Sequence, residues 1–316
     1  MDVVNHILQR PHFDYRKQAC LMSNNYVIVV DSTTDLPAKQ ADDLGLVVIP
    51  YIFTLDNKDY HNYLDYRELS VKEFYDALRA GKTGSTTQVT AHRYMETWKP
   101  FLEEGKDILY MCLSSALSKS YEQSMLAAQQ AQEEYPNCKV VTIDSRAATL
   151  GQGLLAFYAA KARDEGKNLD DLAKYIQEDL IPNLHHWAIV DDLHHLRRGG
   201  RVSGASAFVG TLIQIKPVLS IVDDGRLIPL HKARGHSKAF QYVIKCMHDY
   251  GFKKDHIVGI AHSDAPELAA KLKEEVTAEF GVKDFIINEI GPVIGAHTGP
   301  GTIALIFLAN GRPTAK

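Results

Sequence analysis

The chain has little cysteine and less tryptophan: four cysteines and two tryptophans in 316 residues. Cys20, Cys112, Cys138 and Cys246 stand far apart with no Cys-x-x-Cys. A disulfide framework and a thiolate metal site are therefore not expected, and reduced core thiols in a cytoplasmic protein are. No apolar stretch reaches the roughly 18 residues of a membrane-spanning helix. Residues 1–23 are polar and lack the apolar core of a signal peptide, so they read as an N-terminal extension with one short amphipathic helix. Thirty-five basic against thirty-nine acidic residues leave a net charge of −4, which gives no global attraction to nucleic acid or to an anionic membrane, and without a spanning stretch no stable membrane insertion is expected.

Several catalytic patterns are also missing. There is no Gly-x-Ser-x-Gly elbow, and no cysteine or His-Glu-x-x-His accompanies the histidines His185, His186, His194 and His195. Gly81-Lys82-Thr83 ends like a phosphate-binding loop, but Asp76 stands where its first glycine belongs. Gly151-Gln152-Gly153 mimics a dinucleotide fingerprint yet lies too far beyond the run ending at Ile143 to open directly off a strand. No catalytic residue, metal or cofactor is predicted.

What is present is a globular composition, 45% hydrophobic and 23% charged, in a chain long enough for two domains. Apolar runs at Tyr26–Val30, Val47–Phe53, Asp107–Leu113 and Lys139–Ile143 alternate with helical patterns, one opened by the capping box Ser70-Val-Lys-Glu73. Gly81–Thr90 reads as a hydroxyl-rich loop. The alternation predicts a three-layer α/β/α domain with a mostly parallel sheet over residues 24–167. Two consecutive helices, about Ala148–Glu165 and Leu169–Leu184, follow without a strand between them. Beyond the Gly166-Lys-Asn hinge the style changes. Strands at Trp187–Val190, Pro217–Val222 and Arg226–His231, the last two joined by Asp223-Asp224-Gly225, predict an α+β domain with a mixed sheet over residues 168–316.

Three places concentrate polar chemistry. Gly291–Thr302 packs four glycines and two prolines around His297–Thr298 and reads as a stiffened loop presenting that dyad. Leu196–Ser203 places Arg197, Arg198 and Arg201 beside a glycine pair ahead of a helix expected from Ser203. Arg197 and Arg198 read as a solvated basic turn, and Arg201 as an arginine that recognises carboxylate or phosphate. Apolar strands end in Asp31-Ser-Thr-Thr34, Ser114-Ser115, Asp144-Ser145 and His262-Ser263, groups that either line a crevice at the carboxyl edge of a sheet or cap the following helices. Hydroxyls, one histidine and one arginine can hold an anionic head group but have no evident means of reacting with it.

Val27-Ile-Val-Val-Asp-Ser-Thr-Thr-Asp-Leu-Pro37, Thr86-Thr-Gln88, Leu193–Ser203, Gln214-Ile-Lys-Pro217, Lys232-Ala-Arg-Gly235 and Gly295-Ala-His-Thr-Gly-Pro-Gly301 together resemble the DegV family. That resemblance implies two domains with a lipid tunnel between them. It also implies a long-chain fatty acid as ligand and a separate ATP-binding fatty acid kinase subunit as partner, to which the carboxylate is presented before the acyl phosphate is carried away. The family's head-group residues map onto Thr87, Arg201 and His297, with Thr86, Ser115 and Thr298 as neighbouring ligand-binding candidates. The chain departs from the family's Thr-Ser-Gln-Pro-Ser at Thr87 and Val89, and from its Leu-Ser-Gly-Thr-Tyr at Lys119 and Ser120. Two alternatives stay open: a hydrolase or transferase using His297 as general base with Arg201 as anion clamp, and a small-ketone-binding relative of dihydroxyacetone kinases.

Overall fold

The computed structural model describes residues 25–191, 193–202 and 215–315. The 1–23 extension, Cys20 and the helix expected from Ser203 lie outside them.

The first apolar run forms β1 (Tyr26–Asp31). Asp31 closes it by accepting from Thr33 N at 3.0 Å, capping a single 3-10 turn over Ser32–Thr34. Next come α1 (Ala38–Asp43), β2 (Val47–Ile49), β3 (Tyr51–Leu55) and β4 (Lys58–Asn62). The predicted strand Val47–Phe53 is thus two strands. Pro50 divides them, because proline has no N–H for a ladder. A hairpin at Asp56–Asn57, both with positive φ (54° and 61°), then folds β4 back on β3. The Ser70 capping box forms as expected at the start of α2 (Val71–Arg79). The predicted loop Gly81–Thr90 contains β5 (Gly84–Thr87), paired antiparallel with β3. Its hydroxyl residues include β-branched threonines, which suit a pleated edge.

α3 (Ala91–Glu103), capped by Thr90, leads to β6 (Asp107–Cys112), α4 (Ser120–Glu134) and β7 (Val140–Asp144). One sheet runs β2-β1-β6-β7, all parallel. Trp98 and Tyr94 of α3 and Ala127 and Ala131 of α4 pack with Val29, Ile108 and Tyr110 on one face. On the other lies α5 (Leu150–Asp164), buried nearly all round.

α6 (Leu169–Lys174) continues through a π turn over Tyr175–Leu180 and a 3-10 turn over Ile181–Asn183, so the expected helix to Leu184 is one element with a widened middle. The second domain adds β8 (Leu184–Ile189), α7 (Leu193–Gly199), β9 (Ile215–Ile221) and β10 (Leu227–Arg234). It ends with α8 (Gly235–Asp249), β11 (Val258–His262), α9 (Pro266–Phe280), β12 (Phe285–Glu289), α10 (Pro292–Thr298) and β13 (Ile303–Leu308). Its sheet runs β10-β9-β8-β13-β11-β12 and is mixed: β11 and β12 are parallel, the other neighbours antiparallel. The predicted hairpin closes with Val222 N donating to Arg226 O at 3.0 Å.

α5 is shared between the domains. Leu150 and Leu154 belong to one apolar cluster with Val30 and Met111 of the parallel sheet and with Ala304 and Ile306 of the mixed sheet. Its small residues allow both sheets to approach.

The predicted loop Gly291–Thr302 is corrected most. Its first half is α10, with Pro292 in the first turn, where the missing N–H costs nothing. Gly299 and Gly301, at φ 76° and 80°, then turn the chain into β13. The glycines and prolines are helix punctuation here, and the dyad is carried on a helix with Thr298 buried.

Candidate functional site

Where the domains meet, a cavity of about 510 Å³ opens. Ala188 of β8 lies directly opposite Ala304 of β13, and both line the cavity with Ala148. Three methyl groups where larger side chains would close the core leave the space. Leu113, Ile221, Val293 and Ile294 supply apolar wall, and Thr86, Thr87, Ser115, Arg201, His297 and Thr298 all contribute to its lining.

Their geometry separates them. The β3–β5 register sets Thr86 opposite Phe53 and Thr87 opposite Ile52, so the two threonines leave the strand on opposite faces. Thr86 Oγ1 lies 2.9 Å from His297 Nε2. Thr87 is exposed, and its hydroxyl makes one long contact, 3.5 Å to Ile52 O. Thr86 is therefore spent on orienting the imidazole, whereas Thr87 keeps a donor to offer.

His297 is pushed down to about 4, first by burial and then by the charge of Arg201, so its ring is neutral at neutral pH. Nδ1 is buried with no hydrogen-bond partner among the described residues. α7 closes on this atom because Gly199 has no side chain: a Cβ there would come within 2.4 Å of it. Arg201 is exposed and donates from Nη1 to Gly199 O (2.6 Å) and from Nε to Leu117 O (3.4 Å). Both acceptors are neutral carbonyls, so its charge remains available to an anion. Arg198 instead meets His195 Nδ1 at 2.7 Å on the surface.

Ser115 and Thr298 have partners already. Ser115 donates from N and Oγ to Asp144, at 3.0 and 2.5 Å. Thr298 donates to Ile294 O at 3.3 Å. The strand-end residues Asp31–Thr34 are buried and do not line the cavity.

Sequence reasoning missed Tyr51, Thr149, His186 and Lys119 as lining residues. His185 and His186 were weighed only together, for a metal. As neighbours on β8 they face opposite ways, His185 stacking on Phe307 at 5.1 Å between centroids while His186 turns towards α5 and the cavity. A Cβ at Gly151 would fall 1.5 Å from His186 Nε2, so that glycine of the rejected dinucleotide pattern makes room for an imidazole.

The sequence profile of the DegV family matches residues 25–310. A DegV domain-containing protein of Clostridium perfringens is 39% identical over 286 residues, 90% of this chain and 98% of its own. Among solved structures, a DegV family protein from Thermus thermophilus, described by its fatty acid binding, superposes with a TM-score of 0.81 at 31% identity, covering 90% of this chain and 99% of that one. DegV from Bacillus subtilis, described as a fatty acid binding protein, gives 0.77 at 28% identity over 91% and 100%.

Proposed function

The chain belongs to the DegV family, and on that premise we propose that it binds a long-chain fatty acid in the cavity between its domains and presents the carboxylate to a separate ATP-dependent kinase subunit. The observation that carries this reading is a largely apolar cavity with Thr87, Arg201 and His297 gathered in its lining. Its volume falls within the roughly 300–1,000 Å³ usual for small-molecule sites. Burying a sixteen-carbon tail contributes on the order of 12 kcal/mol gross at ~0.8 kcal/mol per methylene, ample after ordering costs. The head group is the difficulty, since a buried carboxylate costs several kcal/mol unless donors meet it. An unspent threonine hydroxyl and an uncancelled guanidinium supply them.

Exposure of Arg201 and Thr87 supports a carboxylate held within reach of a second protein, which then returns it as an acyl phosphate. Hydrolysis or transfer with His297 as base is less well supported: among the described residues no third group orients its Nδ1, so a Thr86–His297 pair lacks the usual completion of a triad. A small polar ketone would leave the apolar walls unfilled.

Mass spectrometry of an organic extract of the purified protein tests the reading. A co-purifying or added fatty acid retained at one equivalent is expected. Failure to retain palmitate, or turnover of acyl esters by the protein alone, would overturn it.

A further inference from the structure

The helix that carries His297 is seated by the other domain through one buried carboxyl group. Asp35 follows the 3-10 turn after β1, held at positive φ (48°), and is 1% exposed. Its Oδ1 accepts from the N–H of Gly291, the residue that opens α10, at 3.0 Å. Its backbone carbonyl accepts from Asn288 Nδ2 at 2.8 Å. Two tyrosines add to the clamp: Tyr75 donates to Ile290 O at 2.8 Å and Tyr66 to Glu289 O at 3.5 Å. Gly291 leaves no tolerance here, since a Cβ would fall 2.7 Å from Asp35 Oδ1 and 3.2 Å from Asn62 Oδ1. Three residues from the first domain thus grip the segment 288–291, and α10 begins directly after it.

We propose that Asp35 is a positioning residue, a latch whose hydrogen bond to Gly291 sets where α10 presents His297 to the bound carboxylate; this rests on the fatty-acid reading of the cavity.

The chemistry around Asp35 makes the latch sensitive to pH. Its carboxyl is pushed up to about 8, by burial first, with the charge of Asp31 adding to the rise and Thr149 and the Gly291 N–H opposing it. The groups facing it are Asp31 from β1, Asn62 from β4, Tyr66, Tyr75 from α2, Thr149 and, beyond Tyr66, Glu289 from β12. None is a cation. Because the folded value lies above the ordinary 3.8, the cost of burying the charge outweighs the stronger bond that a carboxylate would accept from Gly291, so the neutral form favours the closed arrangement and this contribution is lost as pH rises through about 8. Tyr66 and Tyr75 are raised well above the ordinary tyrosine value by burial and do not titrate in that window. Glu289 is also raised, by burial and then Asp264, so it needs its own control.

The test is palmitate affinity and melting temperature of the full chain from about pH 6 to about pH 9.5, for the wild type, Asp35→Asn and Glu289→Gln. In the wild type the Kd should rise at least about threefold between about pH 7 and about pH 9, with a parallel fall in melting temperature. Asp35→Asn, neutral at every pH, should flatten both profiles, and Glu289→Gln should keep the wild-type fall. A flat wild-type profile overturns the latch. So does an Asp35→Asn profile that still falls, or a fall abolished by Glu289→Gln. If palmitate does not bind at any pH, the fatty-acid reading fails. The melting profiles alone then decide whether Asp35 latches the domains, with the same outcomes for and against.

Discussion

Thr86 Oγ1 lies 2.9 Å from His297 Nε2 across 211 residues of sequence, while the adjacent Thr87 keeps its hydroxyl almost unused, 3.5 Å from its one acceptor. Two neighbouring threonines therefore have different tasks. One fixes the imidazole and the other is available to the ligand.

Valine substitutions should separate them. Thr87→Val, close in shape but without the hydroxyl, should weaken fatty acid binding by about 1–3 kcal/mol, because the charged head group loses a donor. Thr87→Ser should be nearly silent. Thr86→Val acts through His297, so its loss should disappear in a His297→Ala background, whereas the loss from Thr87→Val should persist. Calorimetric titration of the single and double variants gives the comparison.

Arg201→Ala removes the second cause of the low His297 pKa. The imidazole should rise from about 4 towards the ordinary 6.5 without reaching it, because burial, the larger cause, remains. NMR titration of the His297 ring reads this directly. In the complete kinase system the same variant should lose phosphoryl transfer more than acyl binding, since the tail supplies most of the gross affinity and the guanidinium acts on a head-group charge that grows in the acyl phosphate.

The alanine pair Ala188–Ala304 should set how much chain the cavity accepts. Ala304→Leu or Ala188→Leu places three more carbons in the cavity over the face of the β8–β13 pair. The affinity for palmitate should drop by tenfold or more, on the order of 1.4 kcal/mol, with a smaller change for a shorter acid. Equal losses for both acids would argue that the tail does not run over these strands.

Acid should destabilise the fold before the carboxylates titrate fully. His185 and His297 are each depressed to about 4 from the ordinary 6.5, chiefly by burial, and His186 lies well below. In the unfolded chain these rings take protons near their ordinary value, so the stability they contribute is present above it and lost as pH falls through about 4. Thermal melting between about pH 7 and about pH 4 should show the decline, and His185→Phe, which keeps the stack on Phe307, should make it shallower.

The sequence by itself determined the alternation of strands and helices, the capping box at Ser70, the hairpin at Asp223–Gly225 and the concentration of hydroxyls, arginine and histidine in a few short segments. These signals are local: periodicity, caps and turn residues act within a few positions of chain. The tertiary structure alone decided that Pro50 sends half of one predicted strand to another sheet and that β5 pairs with β3. It also decided that Thr86, not Thr87, meets His297. A one-residue change of register would exchange the two threonines, and register depends on the partner strand. The cavity was illegible for a related reason: it exists because Ala188, Ala304 and Ala148 coincide in space, and side-chain volume that is missing has meaning only when the surrounding elements are in place. The same holds for Asp35 and Gly291, 256 positions apart, whose single hydrogen bond joins two domains because burial brings a carboxyl and an N–H together without water to compete for either.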